Sequence, residues 1–122
     1  MCLLGLMGTP FQPEFKGKIL LFEELLSEPY VMDGKLSQLY LAGIFDEVAG
    51  VIIGTFSNCE AKFYPDRDGS LDDVITDWCR KIHVPCIKGF PYGHFDRRAV
   101  LPLGQTVTLD ATHCTVEVVF DE

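Results

Sequence analysis

Two neighbouring carboxylates and one histidine are the residues of this chain best suited to moving a proton. Glu23 and Glu24 follow Lys18–Phe22 (KILLF), a short apolar run after Gly17 that reads as a buried strand. Carboxylates at the carboxyl end of a buried strand stand where α/β sheets place their crevices. Successive strand residues point to opposite faces, so at most one of the two enters a given crevice. His94 lies in Gly89–His94 (GFPYGH), a turn-rich stretch directly after an expected strand. Gly93 frees the backbone there to aim the imidazole inward. Imidazole is the side chain that takes and returns a proton near neutral pH. Each residue also has a plainer reading, because charged strand ends are mostly solvated and loop histidines mostly lie at the surface. His83 and His113 have no comparable setting and read as structural.

Metal chemistry and thiol chemistry are weaker candidates. Cys79, His83 and Cys86 are close in sequence, and the first two share a helix face if that helix extends through His83. Their spacing matches no standard zinc pattern and Pro85 intervenes, so core packing is the expected role and no metal is expected. A cysteine nucleophile paired with His94 is conceivable, but no cysteine sits on a strand-turn-helix bend, and no Gly-x-Ser-x-Gly occurs. The glycines are scattered between apolar residues and do not open a helix, which argues against a phosphate-binding loop.

The elements that must position these groups follow from apolar spacing. Asp33–Ala42 places Leu36, Leu39 and Tyr40 on one helical face, with Gly43 as the stop. Val48–Phe56 (VAGVIIGTF) reads as a second buried strand interrupted by glycines, and 57–69 as a surface loop. Ser70 can cap a second helix, with Asp72 and Asp73 in its first turn and Arg80 and Lys81 in its last. Pro85 closes that region before a third strand at Cys86–Gly89. Two further strands are expected at Gln105–Leu109 and Thr115–Phe120. The order β-α-β-α-β-β-β predicts an α/β domain with a mostly parallel sheet, two helices and a C-terminal hairpin. The connection from Phe90 to Gly104 is long for a compact domain, and such loops are often functional.

Composition narrows the partners. The 122 residues fit one domain, and 48% apolar with 23% charged residues is ordinary globular usage. A net charge of −8, with Arg97 and Arg98 the only adjacent arginines, disfavours nucleic acid and anionic membrane. No apolar run approaches the ~20 residues needed to span a bilayer. The apolar Met1–Met7 stretch lacks a basic flank, so nothing directs export and a cytoplasmic location is expected. Five cysteines exclude a complete disulfide framework, and in the cytoplasm they are thiols.

In order, Leu6–Pro10 (LMGTP), Gly17–Glu24 (GKILLFEE), Glu28–Tyr30 (EPY), Leu36–Gly43 (LSQLYLAG), Val48–Cys59 (VAGVIIGTFSNC), Gly89–His94 (GFPYGH) and Leu101–Gly104 (LPLG) resemble the C-terminal domain of the L,D-carboxypeptidase family. That family includes muramoyltetrapeptide carboxypeptidases and microcin C self-immunity peptidases. The resemblance covers nearly the whole chain and implies a swivelling β/β/α-type domain over residues 1–122. It also implies a Ser…Glu…His triad whose serine lies in an N-terminal domain, with the catalytic glutamate carried over to Glu23 and the histidine to His94. The implied reaction removes a terminal D-alanine from cytoplasmic murein peptides without a metal or organic cofactor, commonly as a homodimer. Met1 falls about where this domain is normally entered, so the chain reads as truncated, lacking the serine and inactive alone. Val31 and Gly34 stand where family members often have arginines. A non-catalytic binding or regulatory domain with the same fold is the alternative.

Overall fold

A computed structural model describes residues 1–120, so the last two residues of the expected 1–122 domain lie outside the described residues. A 3-10 turn (Cys2–Leu6) precedes β1 (Ile19–Leu25), α1 (Pro29–Leu41), α2 (Ile44–Glu47) and β2 (Gly50–Ser57). Then come α3 (Leu71–Lys81), β3 (Cys86–Ile87), β4 (Thr106–Asp110) and β5 (Thr115–Val119). Strands β1, β2 and β3 form a parallel sheet in that order, and β4 pairs antiparallel with β5 in a separate sheet. The chain therefore adopts the expected α/β architecture with a parallel sheet and a terminal hairpin.

The parallel sheet has two unlike faces. Leu20, Phe22 and Glu24 of β1 are buried, while Ile19, Leu21 and Glu23 alternate with them and stay partly exposed. The buried face takes the helices. Pro29, Met32, Leu36 and Leu39 line one side of α1, at the spacing of a single helical stripe, and Ile75 and Trp78 project from α3. With Val51 and Ile53 of β2, Met32, Leu36, Leu39, Ile75 and Trp78 belong to one core cluster. Trp78 ties the layer together: its indole N–H donates to Asp33 Oδ1 at 2.7 Å, and its ring lies 5.7 Å from Tyr40 and 6.4 Å from Phe45. On the opposite face, Ile19, Leu21 and Ile52 border a groove of about 730 Å³ whose far wall includes Val107, Val116 and Val118 of the hairpin.

Several boundaries differ from the sequence pattern for physical reasons. The apolar run predicts a strand end at Glu23–Glu24, yet β1 continues to Leu25. The buried Glu24 carboxylate accepts hydrogen bonds from Lys35 and from the Met1 amino group, which makes it tolerable inside the fold. Helix α1 starts at Pro29 rather than Asp33; a proline in the first turn removes an N–H that would have no partner anyway. Gly43, at φ +75°, ends α1 as expected and then opens the one-turn α2, which buries Ile44 and Phe45 and had no periodic signal. Strand β3 covers only Cys86–Ile87 of the expected 86–89. The Ser70 cap of α3 forms as a full capping box with Asp73.

Candidate functional site

The chain beyond β3 crosses the open face of the sheet, and two glycines let it pass. Phe90 N–H donates to the Ile53 carbonyl at 3.1 Å, and Thr55 N–H donates to the Tyr92 carbonyl at 2.8 Å. These bonds lay 90–92 along β2 past the end of β3. At Gly54 a Cβ would stand 2.3 Å from the Tyr92 carbonyl oxygen, closer than any real contact, so only glycine admits the crossing. Gly93 sits at φ +142°, and a Cβ there would meet Thr55 Oγ1 at 2.5 Å and Glu23 Oε2 at 3.3 Å. Two hydroxyls fasten the arm: Thr55 Oγ1 donates to the Tyr92 carbonyl at 3.1 Å, and Ser57 Oγ to the His94 carbonyl at 2.6 Å.

Glu23 meets this arm from below. The β1–β2 register passes from Phe22↔Ile53 to Glu24↔Phe56, so Gly54 and Thr55 together face Glu23. Such a bulge bends the strand and re-aims the side chain beside it. Here the Glu23 carboxylate reaches His94, with Oε2 and Nδ1 2.7 Å apart. The two sequence-derived site residues, 71 positions apart in the chain, are thus brought into direct contact. An ionised carboxylate only accepts, so Nδ1 is the donor of this bond, and in a neutral ring Nε2 carries the lone pair. Nε2 has no hydrogen-bond partner among the described residues, and the His94 side chain is 55% exposed against 22% for Glu23. The pair therefore presents a basic nitrogen outward and holds the imidazole from behind.

Glu24, one residue on, points to the helix side. Its carboxylate pairs with Lys35 of α1 and the Met1 amino group, while Lys35 Nζ also donates to Ser27 Oγ at 2.9 Å. Burial pushes the Glu24 carboxyl up, but hydrogen bonds from Lys35, the amino terminus and Leu25 N–H outweigh it and hold it at about 2, against an ordinary 4.5.

The remaining sequence candidates are not brought together in one site. Helix α3 ends at Lys81 and Ile82 is extended, so Cys79 and the exposed His83 share no helical face. Among the described residues, no group of three or more His, Cys, Asp or Glu is arranged to hold a metal ion. His113 does have a partner, Asp110 Oδ2 at 2.7 Å, inside the β4–β5 turn whose backbone Asp110 also caps. Sequence reasoning missed Gly54, Thr55 and Ser57 as the holders of the arm. The glycine inside an otherwise β-branched strand was the available signal, since it marks a bulge or a close backbone approach.

Comparison with known proteins identifies the family of this fold. The sequence profile described as "LD-carboxypeptidase C-terminal domain" matches residues 1–109. The chain is 30% identical over 113 residues to a Bacillus subtilis protein named "Probable murein peptide carboxypeptidase", covering 93% of this chain and 35% of that one. It is 27% identical over 109 residues to the microcin C7 self-immunity protein MccF of Escherichia coli, covering 88% and 31% respectively. Among solved structures, muramoyltetrapeptide carboxypeptidase from Oxalobacter formigenes matches with a TM-score of 0.82 at 26% identity, over 95% of this chain and 40% of that one. The chain thus spans about a third of the length of the curated relatives it matches, 34% and 35% for the first two. By the extent of the profile match and by its fold, this chain belongs to the LD-carboxypeptidase family and corresponds to its C-terminal domain.

Proposed function

We propose that this chain supplies the glutamate and histidine of a Ser-Glu-His triad in a serine L,D-carboxypeptidase, and that a serine-bearing domain completes it. The supporting observation is the 2.7 Å contact between Glu23 Oε2 and His94 Nδ1, which leaves Nε2 open on an exposed ring. In this reading His94 Nε2 takes the serine Oγ proton as the oxygen attacks the scissile carbonyl carbon. It then returns that proton to the leaving D-alanine amine. Water, activated by the same nitrogen, releases the acyl group in the second half-reaction. Glu23 stays ionised throughout, fixes the tautomer and stabilises the imidazolium.

The chain alone is inactive in this account. The two hydroxyls beside the pair, Thr55 and Ser57, each donate to a backbone carbonyl, so neither is offered to Nε2. The nucleophile and the oxyanion donors come from the serine-bearing domain, on the same polypeptide or a separate one. The substrate is a cytoplasmic murein tetrapeptide cleaved between the L-centre of its diamino acid and the terminal D-alanine. Family membership and the relatives' names support that choice. The test places His94→Ala or Glu23→Gln in an enzyme that joins this chain to a family serine domain. D-alanine release is then read by mass spectrometry. Both variants should lose it; undiminished turnover by either overturns the assignment.

A further inference from the structure

Away from the Glu23–His94 pair, two thiols face each other where α3 meets the sheet. Cys79, in the last turn of α3, and Cys86, in β3, hold their sulfurs 3.6 Å apart. Both are partly buried at the edge of the core, while Cys59 is fully buried and Cys2 and Cys114 are exposed without a thiol neighbour at hydrogen-bond distance. Cys86 is held from the other side as well, because it pairs with Val51 in the parallel ladder. Lys88 lies along the same side of α3, its ammonium 2.7 Å from Asp72 Oδ1 and 2.9 Å from Thr76 Oγ1. Asp72, Thr76 and Cys79 follow one another at helical spacing, which brings the lysine's charge toward Cys79.

The two sulfurs are chemically unequal. The hydrogen bond between the two thiols, which either sulfur can donate, favours the thiolate at Cys79; burial opposes this and the Lys88 charge assists it. At the partly buried Cys86 the same bond and the loss of water push the thiol up. A thiol that ionises readily beside a second thiol is the arrangement of an attacking and a resolving cysteine. The sulfurs need to approach by only about 1.5 Å to reach a disulfide bond length. We propose that Cys79 and Cys86 form a reversible dithiol–disulfide site that takes low-molecular-weight disulfides of the glutathione type.

The exchange balances in two displacements. The Cys79 thiolate attacks one sulfur of glutathione disulfide and expels one glutathione thiolate, leaving a mixed disulfide on Cys79. The Cys86 sulfur then loses its proton and attacks the Cys79 sulfur, expelling the second glutathione thiolate. The protein loses two electrons and two protons, and glutathione disulfide gains both as two thiols.

The experiment treats the intact protein with glutathione disulfide, quenches it with acid and maleimide, and maps tryptic peptides by mass spectrometry. Cleavage after Arg80, Lys81 and Lys88 separates the two cysteines, so a linked pair of peptides identifies the bond. The expected product is Cys79 joined to Cys86, reversed by dithiothreitol. In Cys86→Ser the reaction should stop at glutathione on Cys79, and in Cys79→Ser residue 86 should stay free. Glutathione found first on Cys2 and Cys114, with Cys79 and Cys86 still reduced, would overturn the proposal.

Discussion

Glu23 and Glu24 are neighbours in one strand, yet the two faces of the sheet give them opposite chemistry. Glu24 enters the helix-packed face, where Lys35 and the amino terminus neutralise it and hold its carboxyl at about 2. Glu23 enters the open face, where an exposed imidazole is its partner. A buried, fully paired carboxylate supports the fold, whereas one beside an open imidazole supports proton transfer. Strand alternation, with the bulge beside Glu23, separates the two roles.

Removing the imidazole should break the open face most severely. With a serine domain supplied, His94→Ala should lower kcat by roughly 10⁴–10⁶, because triad members act as a unit. Its stability should change by less than about 0.5 kcal/mol, as expected for an exposed side chain. Glu23→Gln keeps the shape but not the tautomer and should lose roughly 10³–10⁴ in kcat. Urea titrations alongside the kinetics separate these losses from unfolding.

Next in size is the crossing. Gly54→Ala forces a methyl group to within 2.3 Å of the Tyr92 carbonyl, so the arm carrying His94 must shift. A displacement near 1 Å at a reacting group costs roughly 10²-fold in rate. That loss should appear in kcat, with a stability loss of about 1–3 kcal/mol from overpacking.

The helix-packed face answers to a different measurement. Lys35→Met should cost on the order of 2 kcal/mol of stability at neutral pH, allowing for partial solvent screening, while leaving kcat intact. The Glu24 carboxyl is depressed in the folded chain, so its stabilisation is complete above about pH 4.5. It is lost as pH falls from there toward about 2. Urea titrations at pH 7 and pH 3 should therefore show a smaller acid loss in Lys35→Met than in the parent. Smallest is Ser57→Ala, which removes the 2.6 Å bond to the His94 carbonyl. About 1 kcal/mol, or several-fold in kcat, is expected, with KM unmoved.

The layered fold was legible because apolar spacing reports burial directly: Leu36 and Leu39 on α1, and the β-branched run of β2, although Tyr40, expected on the same face, is half exposed. Glu23 and His94 were legible as candidates because one stands at the end of an apolar strand run and the other follows an expected strand. What hid was everything set by pairing across the chain. The extension of β1 through Glu24 depends on a lysine in the next helix. The arm depends on Gly54 and Ser57 in β2 meeting Tyr92 and His94 after β3. One-turn α2 and two-residue β3 are too short to show a period. The Cys79–Cys86 approach depends on the pairing of β3 with β2 just after α3 ends.

The most direct test of the central claim asks whether this chain restores catalysis to a serine domain that lacks it. A family serine-bearing domain is mixed with the purified chain, and D-alanine release from a murein tetrapeptide is followed by mass spectrometry. The account predicts release in the mixture, none from either part alone, and none when His94→Ala replaces the parent chain. Equal release with His94→Ala, or release by this chain alone, would contradict it.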